Sequence, residues 1–277
     1  MTSYYSVLDK GFVRLVDSMG DDSSIVQAAR ISYNQGLKNP KEDEALIRYM
    51  MRHHHMTPFE MVEFKFHVKM PIFVARQWHR HRTASINEVS GRYTALKDEF
   101  YVPEEKDITK QSGSNKQGGS DESLEDSYFL KKGFYLEQQE IYEGYKEKIK
   151  TGLRKELARI NLPVSLYTEF YWKVNLRNLL HFLGLRMDSH AQYEIREYAD
   201  KMGLIVNDIV PIAYQCFLDY QFNALTLTVY DLKAIGILRL KLCSLEYSYE
   251  DILETLKEVF PTKREFDEFI EKNKRIS

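Results

Sequence analysis

Between residues 76 and 93 the chain runs RQWHRHRTASINEVSGRY. Arg76, Arg80, Arg82 and Arg92 stand there with His79 and His81, without a lysine, and with Glu88 as the only acid. A diffusely cationic surface mixes arginine with lysine. Arginine alone points to forked recognition, because its planar donors can bond two oxygens of a phosphate or carboxylate at once. Ser85, Asn87 and Ser90 add small polar groups, and Gly91 lets backbone approach a ligand closely. The ordinary alternative is a solvated basic helix end.

A second stretch has similar chemistry. Leu176, Leu179, Leu180 and Leu183 follow i, i+3, i+4, i+7 spacing and form an apolar helical stripe. Asn175, Arg177, Asn178 and His181 fall on the other side. A solvated helix face usually carries glutamate and lysine, whereas these side chains are hydrogen-bond readers. Arg186 follows at the corner between two helices, and Ser189 with Gln192 forms a capping-box pattern for a helix to about residue 202. The plain reading of Arg186 is a loop arginine paired with Asp188. That of Arg159 is an i, i+3 pair with Glu156.

The pattern Arg80-His81-Arg82-x-x-Ser85-x-Asn87-Glu88-x-Ser90-x-Arg92-Tyr93 resembles the signature of the flavin-dependent thymidylate synthases. His55-x-Thr57-Pro58-Phe59-Glu60 resembles that family's weaker second motif, and Asn175-x-Arg177-x-x-x-His181 its third. The resemblance covers about residues 8 to 204. It implies reductive methylation of deoxyuridylate (dUMP) to thymidylate, with FAD bound, methylenetetrahydrofolate as carbon donor and NADPH as reductant. It places Ser32, His55, Thr57, Glu60, Arg80, His81, Arg82, Glu88, Asn175, Arg177 and His181 at the flavin. It places Gln77, Arg80, Glu88, Ser90, Gly91, Arg92, Arg159 and Arg186 at dUMP. It further implies a homotetramer whose active sites are shared between subunits.

Uracil C5 is a weak nucleophile. One remedy is cysteine addition at C6, but neither Cys216 nor Cys243 has an arginine-rich neighbourhood that would favour a thiolate. The other is ionisation at N3, with a permanently charged arginine beside the ring to stabilise the anion. The resemblance gives that catalytic role to Arg186. No Gly-x-Gly-x-x-Gly turn is present for a dinucleotide; the resemblance gives the flavin pyrophosphate to Arg80, His81 and Arg82, with Thr57.

Composition excludes several classes. The formal net charge of -2 gives no global attraction to nucleic acid or anionic membrane. A phosphate clamp for RNA or DNA would spread lysines over a face. A histidine metal site lacks His-Glu-x-x-His spacing; adjacent His53, His54 and His55 cannot share a helical face, so no metal is expected. Another flavin reductase would not need so many phosphate and uracil readers. No apolar run approaches the ~18 residues of a membrane span, and two widely separated cysteines fit a reducing, cytoplasmic setting.

The elements that must position these groups follow from periodicity. Strands are expected near residues 11–16 and 62–70, the latter alternating Val62, Phe64, Phe66, Val68 and Met70 with polar residues. Helices are expected over 25–32, from Pro40, over 72–81, over 125–150, briefly over 154–160, and through most of the chain beyond 204. Residues 83–88 are expected as loop, and the Lys/Ser/Gly/Gln-rich residues 104–123 as a structureless surface loop. The fold class is α+β: an antiparallel sheet packed with several long helices. A catalytic domain spans 1–204, and a helical extension spans 205–277 and packs on the core.

Overall fold

The computed structural model describes residues 3–31, 40–113, 118–244, 249–260 and 263–274. Its centre is a five-stranded antiparallel sheet in the order β1-β2-β3-β7-β4. The strands are β1 (Tyr4–Val7), β2 (Gly11–Met19), β3 (Glu63–Pro71), β7 (Tyr167–Asn175) and the edge strand β4 (Ser85–Glu88). The alternation of β3 buries Phe64, Phe66 and Val68 on one face, each opposite a buried residue of β7: Val174, Trp172 and Phe170. Burial of that face fixes the register, because a one-residue slip would turn every one of these side chains to the other face.

Helices cover the buried face: α1 (Asp22–Arg30), α2 (Pro40–Arg52), α3 (Ile72–Trp78), α6 (Leu176–Arg186), α7 (Tyr193–Ile209) and α8 (Pro211–Phe217). The leucine stripe of α6 is wholly buried, as its spacing requires. Asp21 caps α1 through a capping box with Ser24. Outside this layer lie the long α4 (Ser127–Lys150) and the short α5 (Lys155–Ala158), which a 3-10 turn continues over Arg159–Asn161.

Several expectations need correction. Residues 85–88 form β4 rather than loop, because β7 offers an open edge and backbone hydrogen bonds suffice to pair four exposed residues. Within 104–123 a 3-10 turn is followed by a two-stranded hairpin, β5 (Thr109–Gln111) and β6 (Gly119–Ser123). The helix expected over 72–81 ends at Trp78. Beyond it, Arg80 N–H bonds the Gln77 carbonyl at 3.3 Å and His81 N–H that of Trp78 at 2.9 Å. At α7 the N-cap is Gln192, without side-chain capping, so the Ser189 box does not form.

Contacts divide the chain into two compact units, Met1–Phe222 and Asn223–Ser277. The helix α7 continues past Leu204, and Ile205, Val206, Val210, Ala213 and Phe217 belong to the first unit's core. The second unit contains α9 (Val229–Ser244), α10 (Tyr249–Lys257) and α11 (Lys263–Lys274) around a small core of Ala234, Ile252, Leu256, Phe260, Phe266 and Phe269. Its buried Asp231 accepts from Lys272 at 2.8 Å. Among the described residues no helix is long and apolar enough to cross a membrane.

Candidate active site

The turn after α3 brings Arg80, His81 and Arg82 to a cavity of about 400 Å³. Its other walls are Trp172 and Val174 of β7 and Asn178, His181 and Arg186 of α6. Beneath it Trp78, Trp172 and Phe182 pack edge-on or tilted, with ring centroids 4.5–5.2 Å apart. His81 adds to this cluster, edge-on to Phe182 at 4.9 Å. Such aromatic packing holds the turn rigidly over the sheet.

Arg186 is the last residue of α6 and is half-buried. Its Nε donates to His81 Nε2 at 3.1 Å, and one terminal nitrogen donates to the Gln77 carbonyl at 3.3 Å. It is therefore not the exposed loop arginine of the plain reading, and Asp188 instead accepts from the His190 backbone N–H at 2.8 Å. Burial first, then the charge of Arg186 and the nearness of His181, push the His81 imidazole down to about 4. At neutral pH it is an uncharged acceptor.

Arg186 also lines a second, polar cavity of about 920 Å³, with Gln77, His190, Gln192, Arg196 and the β5–β6 hairpin. There the Gln77 side-chain amide donates to the Gln192 amide oxygen. Arg186 and Gln77 thus stand where two cavities meet.

Ser90, Gly91 and Arg92 lie elsewhere. Strand β4 runs antiparallel to β7, and Val89 N–H bonds the Glu169 carbonyl, so Ser90 follows at the level of Thr168. The first cavity lies beside Trp172 and Val174, some five residues or about 17 Å along that strand at a rise of ~3.3 Å per residue. Gly91 packs on Arg159: a Cβ there would come within 3.0 Å of its guanidinium and of Leu96. Arg92 bonds Glu156 at 3.1 Å, and Arg154 approaches the same carboxylate at 3.5 Å. Glu156 thus pairs with Arg92 and Arg154 rather than with Arg159. Between the two groups, Glu88 accepts a 2.5 Å hydrogen bond from the buried Thr168 hydroxyl.

His55 and Thr57 line a third, largely apolar cavity of about 870 Å³ with Ala28, Ala29, Leu46 and Met61. The histidine run closes α2. His54 takes a left-handed φ of 56°, His54 N–H bonds Met51 and His55 N–H bonds Met50, which is a Schellman turn. That turn reverses the chain and aims His55 at the cavity. Glu60 and Arg177 form an ion pair at 2.5 Å. Ser32 lies outside the described residues.

The first cavity therefore gathers Arg80, His81, Arg82, His181 and Arg186, and the second Gln77 and Arg186. The groups Ser90-Gly91-Arg92-Arg159 and His55-Thr57 stand apart within one chain. Asn175 proves to be the N-cap of α6; its side chain accepts from Asn178 N–H at 3.0 Å. Four contacts were not legible beforehand: Trp172, Thr168, Glu156 and Gln192. Each reaches its partner across at least 64 residues of sequence or lies on a strand that the leucine stripe overshadowed. Cys216 is buried and its thiol is pushed up to about 11 by desolvation, so it carries no thiolate at neutral pH. The side chain of Cys243 lies outside the described residues.

Comparison with known proteins shows the family. The family model described as "Thymidylate synthase complementing protein" matches residues 14–212. A flavin-dependent thymidylate synthase of Treponema denticola is 52% identical over 237 residues, covering 85% of this chain and 89% of that one. One from Thermus thermophilus is 51% identical over 262 residues, covering 92% and 95%. Among solved structures, the UMP/dUMP methylase PolB of Streptomyces cacaoi, bound with 5-Br dUMP, superposes with a TM-score of 0.71 at 33% identity, over 79% of this chain and 99% of that one. With its sheet, its arginine turn and its polar helix in place, and with relatives matched over most of its length, the chain belongs to the flavin-dependent thymidylate synthase family.

Proposed function

We propose that this protein converts dUMP to thymidylate by reductive methylation, with methylenetetrahydrofolate as carbon donor and NADPH as reductant, in the cytoplasm. The observation that carries the reading is Arg186, braced on two sides where a donor-rich cavity meets a polar one. The residues present fit a flavin. Trp172 Nε1 is a buried donor without a partner among the described residues, and Trp172 lines the first cavity with Arg80, Arg82 and Arg186. A ring system edged with carbonyl and imine acceptors, together with its phosphates, matches such a donor set. When bound, FAD supplies the hydride that the one-carbon unit needs to become a methyl group.

The chain's own residues do the rest. Arg186 stands against the uracil edge, where its charge stabilises the N3-deprotonated ring and so makes C5 nucleophilic. No sulfur adduct is needed, in keeping with the protonated, buried thiol of Cys216. Ser90, Gly91, Arg92 and Arg159 hold the substrate phosphate, and Glu88 lies between substrate and flavin. Arg80, His81, Arg82, His181, Arg177, Asn175, Glu60, His55, Thr57 and Ser32 serve the flavin. The distance along β7 between the phosphate group and the Arg186 cavity supports a site built from several copies in a homotetramer, so that one copy's Arg92 meets another's Arg186.

The test is direct. Purified protein is expected to show the two-banded absorbance of oxidised flavin and to oxidise NADPH in a dUMP-dependent manner. Arg186→Ala is expected to keep flavin and lose thymidylate formation. Full methylation by that variant would remove Arg186 from the mechanism.

A further inference from the structure

We infer that His81 is a positioning residue for Arg186: its unprotonated Nε2 accepts the Arg186 Nε–H and, with the Gln77 carbonyl, fixes the plane of the guanidinium. The inference deepens the proposed thymidylate chemistry and rests on it for its kinetic part only. A guanidinium has five N–H donors. Two are engaged by His81 and Gln77, one on the Nε edge and one on a terminal nitrogen. Those two bonds stop rotation about the end of the side chain and leave the remaining donors for a ligand. An arginine free to swing would lose much of its electrostatic effect, because stabilisation depends on donors already aimed at the developing charge.

His81 is itself held independently of Arg186. Its backbone N–H bonds Trp78, and its ring packs edge-on to Phe182, which sits in the aromatic cluster below. The bond to Arg186 demands one tautomer: Nδ1 carries the proton and Nε2 the lone pair. An imidazolium has no acceptor and would face Arg186 with a like charge. The groups around it all oppose protonation. Arg186 and His181 face it from α6, Arg80 and Arg82 flank it on its own turn, and among the described residues no carboxylate lines the cavity. Burial acts in the same direction. The bond is thus intact at neutral pH and lost only on acidification.

The test uses the full-length holoprotein labelled with ¹⁵N-histidine, the His81 signals being assigned by their loss in His81→Gln. The expected result is an Nδ1–H tautomer at neutral pH, protonation well below the ordinary histidine range, and an upward shift of that titration in Arg186→Met. An Nε2–H tautomer, or a titration that Arg186→Met leaves in place, overturns the inference whether or not thymidylate is made. Kinetically, His81→Gln puts an amide oxygen near the place of Nε2. With flavin saturating, it is expected to recover most of the kcat that His81→Phe loses. His81→Phe is expected to lose about thirtyfold in kcat with the KM for dUMP little changed, the scale of one lost charge-assisted bond. His81→Phe/Arg186→Lys should be no slower than Arg186→Lys. Wild-type kcat in flavin-loaded His81→Phe, or additive losses in the double variant, overturns the inference. Where His81→Phe cannot hold flavin, the tautomer and its titration decide.

Discussion

Thr168 is the residue whose importance the sequence hides best. It is one hydroxyl in a run of aromatic and charged side chains, yet it is buried and donates to Glu88 at 2.5 Å across to the neighbouring strand. Replacing it with valine keeps the shape and removes the donor, leaving Glu88 free to turn. A hydrogen bond to a charged group contributes about 1.5–3 kcal/mol, so Thr168→Val is expected to lower kcat/KM for dUMP about tenfold or more. Thr168→Ser should restore most of it, and Thr168→Val should also lower the melting temperature by a few degrees, about 2–4 °C per kcal/mol lost, which Thr168→Ser largely recovers. Steady-state kinetics on the three proteins check this. The arginines were legible at this scale because their type, spacing and lack of lysine are themselves a chemical pattern. Thr168, Glu156 and Gln192 were not, since an ordinary polar residue gains meaning only from the partner that folding brings to it.

At the level of elements, α6 shows how one residue can be read in two ways. Asn175 matches a motif position expected at the flavin, and its side chain caps the helix that carries Asn178, His181 and Arg186. An N-cap asparagine contributes about 1 kcal/mol, and aspartate or serine caps nearly as well. Asn175→Ala is therefore expected to lower unfolding free energy by about 1 kcal/mol, and Asn175→Asp to keep it. Urea titration of the flavin-free proteins measures this apart from any flavin contact. The strands were unequally legible. In β3 a clean apolar alternation marks the buried face. Strand β7 alternates as well, with Thr168, Phe170, Trp172 and Val174 inward and Glu169, Tyr171 and Lys173 between them, but a strong leucine stripe follows at once. Strand β4 carries no periodic signal, because all four of its residues are exposed and its pairing is purely backbone.

On the scale of the whole molecule, the separation of the Ser90-Gly91-Arg92-Arg159 group from the Arg186 cavity gives the proposed shared site a quantitative consequence. Arg92→Ala and Arg186→Ala are each expected to be inactive. If each site takes Arg92 from one copy and Arg186 from another, refolding the two variants together in equal amounts restores both residues to about a quarter of the sites by random closed assembly. A site contained in one chain would never recover. The activity of the co-refolded mixture, against each variant refolded alone, distinguishes the two.

The sequence by itself determined the family and the candidate residues, because arginine forks, a turn glycine and helix-face spacing are local properties that survive without a fold. Only the tertiary structure decided which of those residues meet. It joined His81 and the Gln77 carbonyl to Arg186 across more than 100 residues, gave Glu156 to Arg92 instead of Arg159, and set Gly91 against a guanidinium. The reason is that a strand's register and a helix's end point are fixed by burying a common apolar face. The polar groups on the rim go wherever that burial carries them.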